Sequence, residues 1–81
     1  METMILESKK IDGLSMADVS CGKHRALVSH SSKSGLVSVY VSTTRPGLRL
    51  GKHFHSFEAA ASNYKLSEIK EIIRTAEEFS K

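Results

Sequence analysis

The clearest pattern in the chain lies near its middle. Over residues 36–43, Val37, Val39 and Val41 alternate with Ser38, Tyr40 and Ser42, the period of two expected of a half-buried antiparallel strand. Residues 24–30 form a second β-rich run, and Ser31-Ser32-Lys33-Ser34-Gly35 between the two reads as a hairpin loop. Upstream, residues 14–20 hold a weaker strand pattern that ends in a turn at Cys21-Gly22-Lys23. Residues 3–6 read as a short strand or arm, and residues 9–13 as a loop. Downstream, Arg45-Pro46-Gly47 supplies turn chemistry. Residues 48–55 then read as a further meander strand, with Gly51 placed for a bulge.

The periodicity changes after His55. Ser56 is a suitable N-cap, and Glu58 suits the positive end of a helix dipole. Phe57, Ala60, Ala61 and Tyr64 share one helical face, while Leu66, Ile69, Ile72, Ile73, Ala76 and Phe79 form a second stripe. At 100° per residue the two stripes do not align. Two helices broken near residues 65–67, with Ser67 capping the second, fit better than one long helix. Arg74 has Glu77 and Glu78 within reach on such a helix.

These elements predict a single α+β domain over residues 1–81: a small antiparallel meander of three to four strands, packed on one or two C-terminal helices. The expected core is Leu27 or Val28, with Val37, Val39, Val41, Leu50, Phe54, Phe57, Tyr64, Ile69, Ile72, Ile73 and Ala76.

Composition narrows the setting. Hydrophobic residues make up 40% and charged residues 26%, as in a folded globular domain rather than a disordered chain. With Cys21 as the single cysteine, no internal disulfide can form, which favours a reducing, cytoplasmic location. Residues 1–10 read neither as a signal peptide nor as a membrane span.

Charge adds the sharpest feature. The formal net charge is +3, yet no acid occurs between Asp18 and Glu58. That window holds Lys23, Arg25, Lys33, Arg45, Arg49 and Lys52 and all four histidines. Carried on a sheet and its turns, Lys23, Arg25, Lys33, Arg45, Arg49 and Lys52 would neutralise phosphates. Tyr40 would stack on a base, and His53 and His55 would line the same surface.

Other chemistry is weaker. Cys21-x-x-His24 and His53-x-His55 have the makings of a four-ligand zinc site, but one cysteine with three histidines is an uncommon ligand set. Cys21 and His24 as nucleophile and base have no acidic neighbour in sequence to orient the histidine. Phosphate-loop and dinucleotide motifs are absent, so neither catalytic residues nor a metal or cofactor are expected.

The run Leu50-Gly51-Lys52-His53-Phe54-His55-Ser56-Phe57-Glu58-Ala59-Ala60-Ala61-Ser62-Asn63-Tyr64 resembles the strand-to-helix junction of AP2-type DNA-binding domains and of some integrase amino-terminal domains. The resemblance is confined to this run and implies a three-stranded sheet that reads DNA beside one helix. The chain departs from that pattern in lacking Trp and in having a second helical stretch. No functional residue is carried over.

The expected function is non-enzymatic binding of nucleic acid, DNA or RNA, through a basic sheet face. The alternative is a protein-binding inhibitor or adaptor of the mobile-element or phage type. It would meet an acidic protein surface with the basic face, or use the apolar stripe of the C-terminal helix, with a homodimer as one form it could take.

Overall fold

The computed structural model describes residues 2–42 and 49–81, apart from the side chains of Arg49 and Leu50. Five strands run in chain order: β1 (Thr3–Ile11), β2 (Leu14–Cys21), β3 (His24–Ser31), β4 (Val37–Ser42) and β5 (Arg49–Phe54). Each pairs antiparallel with its sequence neighbour, giving a meander of order β1-β2-β3-β4-β5. Two helices follow, α1 (Phe57–Asn63) and α2 (Ser67–Ser80), and cover one face of the sheet. The turn expected at Arg45-Pro46-Gly47 lies outside the described residues.

The expected α+β meander is present, extended to five strands. Residues 9–13, expected as a loop, instead complete β1 and a two-residue hairpin turn. Asp12 (φ 32°) and Gly13 (φ 84°) both take left-handed backbone, which Asp-Gly accepts between antiparallel strands. Residues 3–6, expected as a short strand or arm, begin β1; the sequence conceals its continuation because it is an edge strand, exposed at every position from Met4 to Ile11. It therefore has no buried face to impose alternation, and Lys9 and Lys10 are tolerated there.

Register divides the side chains between two faces. Ala17, Val19 and Cys21 of β2, Ala26 and Val28 of β3, and Val37 and Val39 of β4 point toward the helices and are buried. They meet Ala60 of α1 and Ile69, Ile72, Ile73 and Ala76 of α2. Burying one such isoleucine contributes about 1.5–3 kcal/mol. The core position is thus Val28, and Leu27 faces the other way beside Tyr40 in the ladder. The α2 stripe is core rather than open surface, although Leu66 at its start is 54% exposed.

The helix boundaries follow local chemistry. Ser56 caps α1, its Oγ accepting from the Ala59 N–H at 3.0 Å. The chain leaves the helix at Tyr64, in extended backbone. Ser67 is not the cap of α2: Leu66 holds that position without a side-chain hydrogen bond, and Ser67 is the first helical residue. Arg74 bonds Glu71 and Glu78, one turn away on either side, rather than Glu77. Lys10 pins the far end of α2, its Nζ donating to the Lys81 carbonyl at 3.1 Å and lying 4.9 Å from the Phe79 ring centre.

Candidate interaction surface

On the face of the sheet turned away from the helices, two rows of residues cross all five strands. Register places Glu7, Asp18, Leu27, Tyr40 and Gly51 opposite one another in turn, and likewise Lys9, Met16, Ser29, Ser38 and His53. Met16, Leu27 and Tyr40 are half-buried, and Leu14 and Ile11 beyond them are 40% and 52% exposed. A shallow depression of about 440 Å³ is lined by Glu7, Ser8, Lys9, Met16, Asp18 and Leu27.

Two polar pairs stiffen this face. Arg25 grips Asp18 with both arms of its guanidinium, Nε to Oδ1 at 3.0 Å and Nη2 to Oδ2 at 2.7 Å. Asp18 is only 5% exposed, so this planar fork helps compensate a carboxylate largely withdrawn from water. The hydrogen bond to Asp18, and then its charge, raise the Arg25 pKa above its ordinary value. Ser38 Oγ and His53 Nδ1 share a hydrogen bond of 2.8 Å.

Tyr40 owes its position to a glycine. Gly51 makes no bulge: the β4–β5 register is continuous through it, and Tyr40 is its ladder partner. A Cβ at Gly51 would collide with Cδ1 and Cε1 of the Tyr40 ring. The bare glycine lets the ring lie down across β5, where its edge meets His53 at 6.1 Å between centres.

The basic residues expected to form one patch are dispersed. Arg25, Tyr40 and His53 share the open face. Lys52 is opposite Val39 and faces the helices, with Nζ 5.5 Å from the Tyr64 ring centre. Burial there pushes the Tyr64 phenol above its ordinary pKa. Lys23 sits in the β2–β3 turn, its N–H donating to Glu68 Oε2 at 3.2 Å. Lys33 lies in the β3–β4 connection, 3.9 Å from Asp12. His55 is exposed just beyond β5. Arg45 lies outside the described residues; Arg49 stands opposite Ser42, its side chain undescribed.

The window without acids is therefore not without acids in space. Asp12, Asp18 and Glu68, all from outside it, reach Lys33, Arg25 and His24 respectively. Nor do the four zinc-type residues converge. Cys21 is buried and accepts from Thr3 Oγ1 at 3.4 Å, His24 bonds Glu68, and His53 bonds Ser38. Among the described residues, no three His, Cys, Asp or Glu side chains gather as metal ligands. No helix among them is long and apolar enough to cross a membrane.

Sequence reasoning missed Leu14, Met16, Asp18 and Leu27 as surface-forming residues. A signal was available: Leu14, Met16, Asp18 and Ser20 alternate with Ser15, Ala17, Val19 and Cys21, but both sets contain apolar residues, which blurs the choice of face. No protein-family model, no curated protein and no solved structure matches the chain.

Proposed function

We propose that the protein is a non-enzymatic binding module that docks a folded protein partner on the open face of its sheet. The observation that carries this reading is the contiguous Met16–Leu27–Tyr40 surface, uncovered by either helix and bordered by serines and fixed charges. Interfaces commonly have this anatomy, with an apolar centre inside a polar rim. Tyr is among the residues that most often dominate binding energy at such centres. The rim offers Lys9 and His53, with Glu7 beside Lys9 and Arg25 already paired to Asp18, so the matching partner presents an apolar projection whose polar border answers fixed charges of both signs. A reducing compartment such as the cytoplasm suits a domain whose single thiol, Cys21, is buried in its core.

A photo-crosslinking residue at Leu27, compared with one at the exposed Lys70 of α2, tests the reading in nuclease-treated lysate. A single protein adduct from position 27, competed away by unlabelled wild-type protein and absent from position 70, is the expected result. No adduct, or the same adducts from both positions, would overturn it.

Nucleic-acid binding is the second reading. It is favoured by Arg25, Tyr40 and His53 sharing one face, with Arg49 at the same end of the ladder as Arg25. Fluorescence anisotropy with short single- and double-stranded DNA and RNA, at about 50 and 200 mM salt, tests it. Phosphate contacts weaken steeply with salt, and no binding at the lower salt would exclude them.

A further inference from the structure

The long edge of the sheet carries a pattern that the open-face reading does not use. β1 is nine residues long and forms the outer margin of the meander. Met4, Ile5, Leu6 and Ile11 are all at least 40% exposed along it. Free edges that are long and apolar invite pairing with another strand.

The hairpin turn fixes which backbone groups are free. In a two-residue turn, the flanking residues Ile11 and Leu14 exchange both backbone hydrogen bonds, and the alternation of an antiparallel ladder carries this to Lys9↔Met16 and Glu7↔Asp18. Ser8 and Lys10 lie between these pairs, so their N–H and C=O groups point outward from the sheet. They are ready to pair with a strand laid alongside.

Side-chain chemistry then selects the occupant. We infer that a second copy of this chain pairs β1 against β1 in antiparallel fashion, about a twofold axis that is perpendicular to the sheet and passes midway between the Ser8 residues of the two copies. Such an axis keeps each residue on its own face, so only registers that pair positions of like parity are allowed. Centring on Glu7 would set Glu7 against itself, and centring on Lys9 would set Lys9 against itself; like charges directly opposite are destabilising. Centring on Ser8 places Glu7 opposite Lys9 of the second copy, and the symmetry repeats that pair. The bulge between Ile5 and Glu7 shifts the register by one, which brings Met4 opposite Ile11 of the second copy. Both side chains are 52% exposed in the single chain. A contact of this kind, with the same patch used by both copies, closes on itself rather than growing into a fibre. The result is a ten-stranded sheet whose two open faces lie on the same side. The inference shares the rim residues Glu7, Ser8 and Lys9 with the open face, but none of its contacts uses Leu27 or Tyr40.

Sedimentation equilibrium or light scattering across a concentration series tests it on the full chain. The wild type is expected to form dimers. Lys9→Glu sets like charges opposite each other twice in the interface and should weaken dimerisation roughly tenfold or more. Glu7→Lys with Lys9→Glu in one chain restores opposite charges and should restore the dimer. Ser8→Pro removes an outward N–H without touching the β1–β2 ladder, so a folded monomer is expected, checked by circular dichroism. A wild type that stays monomeric at millimolar concentration would overturn the inference. So would an unchanged dimer in Lys9→Glu or Ser8→Pro, or a charge-swapped double variant no more dimeric than Lys9→Glu.

Discussion

His24 Nδ1 lies 2.6 Å from Glu68 Oε2, and this short contact ties the β2–β3 turn to the first turn of α2. The same carboxylate oxygen accepts the Lys23 N–H. One side chain thus holds a hairpin tip against the helix that closes the core. Glu68 is also well placed near the N-terminus of α2, where the helix dipole favours negative charge.

The contact carries a pH dependence. The His24 hydrogen bond is the first cause holding the Glu68 carboxyl below its ordinary pKa; the Lys23 N–H adds to it, and burial opposes it. A carboxyl depressed in the folded state stabilises above its unfolded pKa, and that contribution is lost as pH falls through the folded value. Glu68→Gln should therefore lower Tm at pH 7, with the gap to the wild type closing as pH falls below the ordinary glutamate range. Thermal melts at several pH values measure it.

Gly51→Ala should be destabilising despite its surface position, because the new Cβ evicts the Tyr40 ring. The penalty should shrink when Tyr40→Ser is made in the same chain. A double-mutant cycle by urea denaturation reads the coupling, expected at about 0.5–3 kcal/mol for residues in contact. Under the proposed function, Gly51→Ala alone should also reduce crosslinking from position 27.

Ile72→Ala should lower stability by about 2–5 kcal/mol, since Ile72 is fully buried between sheet and helix and truncation leaves a cavity. Denaturant unfolding would show it as a shift of midpoint without a change of slope. Arg74→Ala on the exposed side of the same helix should be nearly neutral, as its pairs with Glu71 and Glu78 are solvated.

Ser56→Ala removes the acceptor for the Ala59 N–H and should cost about 1 kcal/mol. Ser67→Ala should cost less, because Ser67 is not a cap. Unfolding of the two variants side by side separates the two serines, which the sequence alone treats alike.

What was legible in the chain follows from burial. β4 was readable because its face toward the helices takes only apolar side chains, so Val37, Val39 and Val41 alternate with Ser38, Tyr40 and Ser42 on the other face. The helices were readable because Phe57 and Ala60, then Ile69, Ile72, Ile73 and Ala76, must return to one side every turn. Only the start of β1, over residues 3–6, was readable as a strand; the rest was not, because an exposed edge imposes no period on Glu7, Ser8, Lys9 and Lys10. The surface was the least accessible part. A run without acids says nothing about acids brought in by the fold, and Asp12, Asp18 and Glu68 all come from beyond it. Nor does local sequence say that Lys52 turns toward Tyr64 while His53 beside it turns away. The AP2-like run does form a strand leading into a helix, but within a five-stranded sheet closed by a second helix.

The order in which the chain visits its sheet also governs how it is made. Every strand after β1 pairs with the one just before it, so the sheet is built from local hairpins that each close only a short stretch of chain. The residues that seal the inner face, Ile69, Ile72, Ile73 and Ala76, arrive after all five strands. A sheet without α2 would hold Val19, Val28 and Val39 bare to water, so the meander has no sealed core of its own until that helix docks on it.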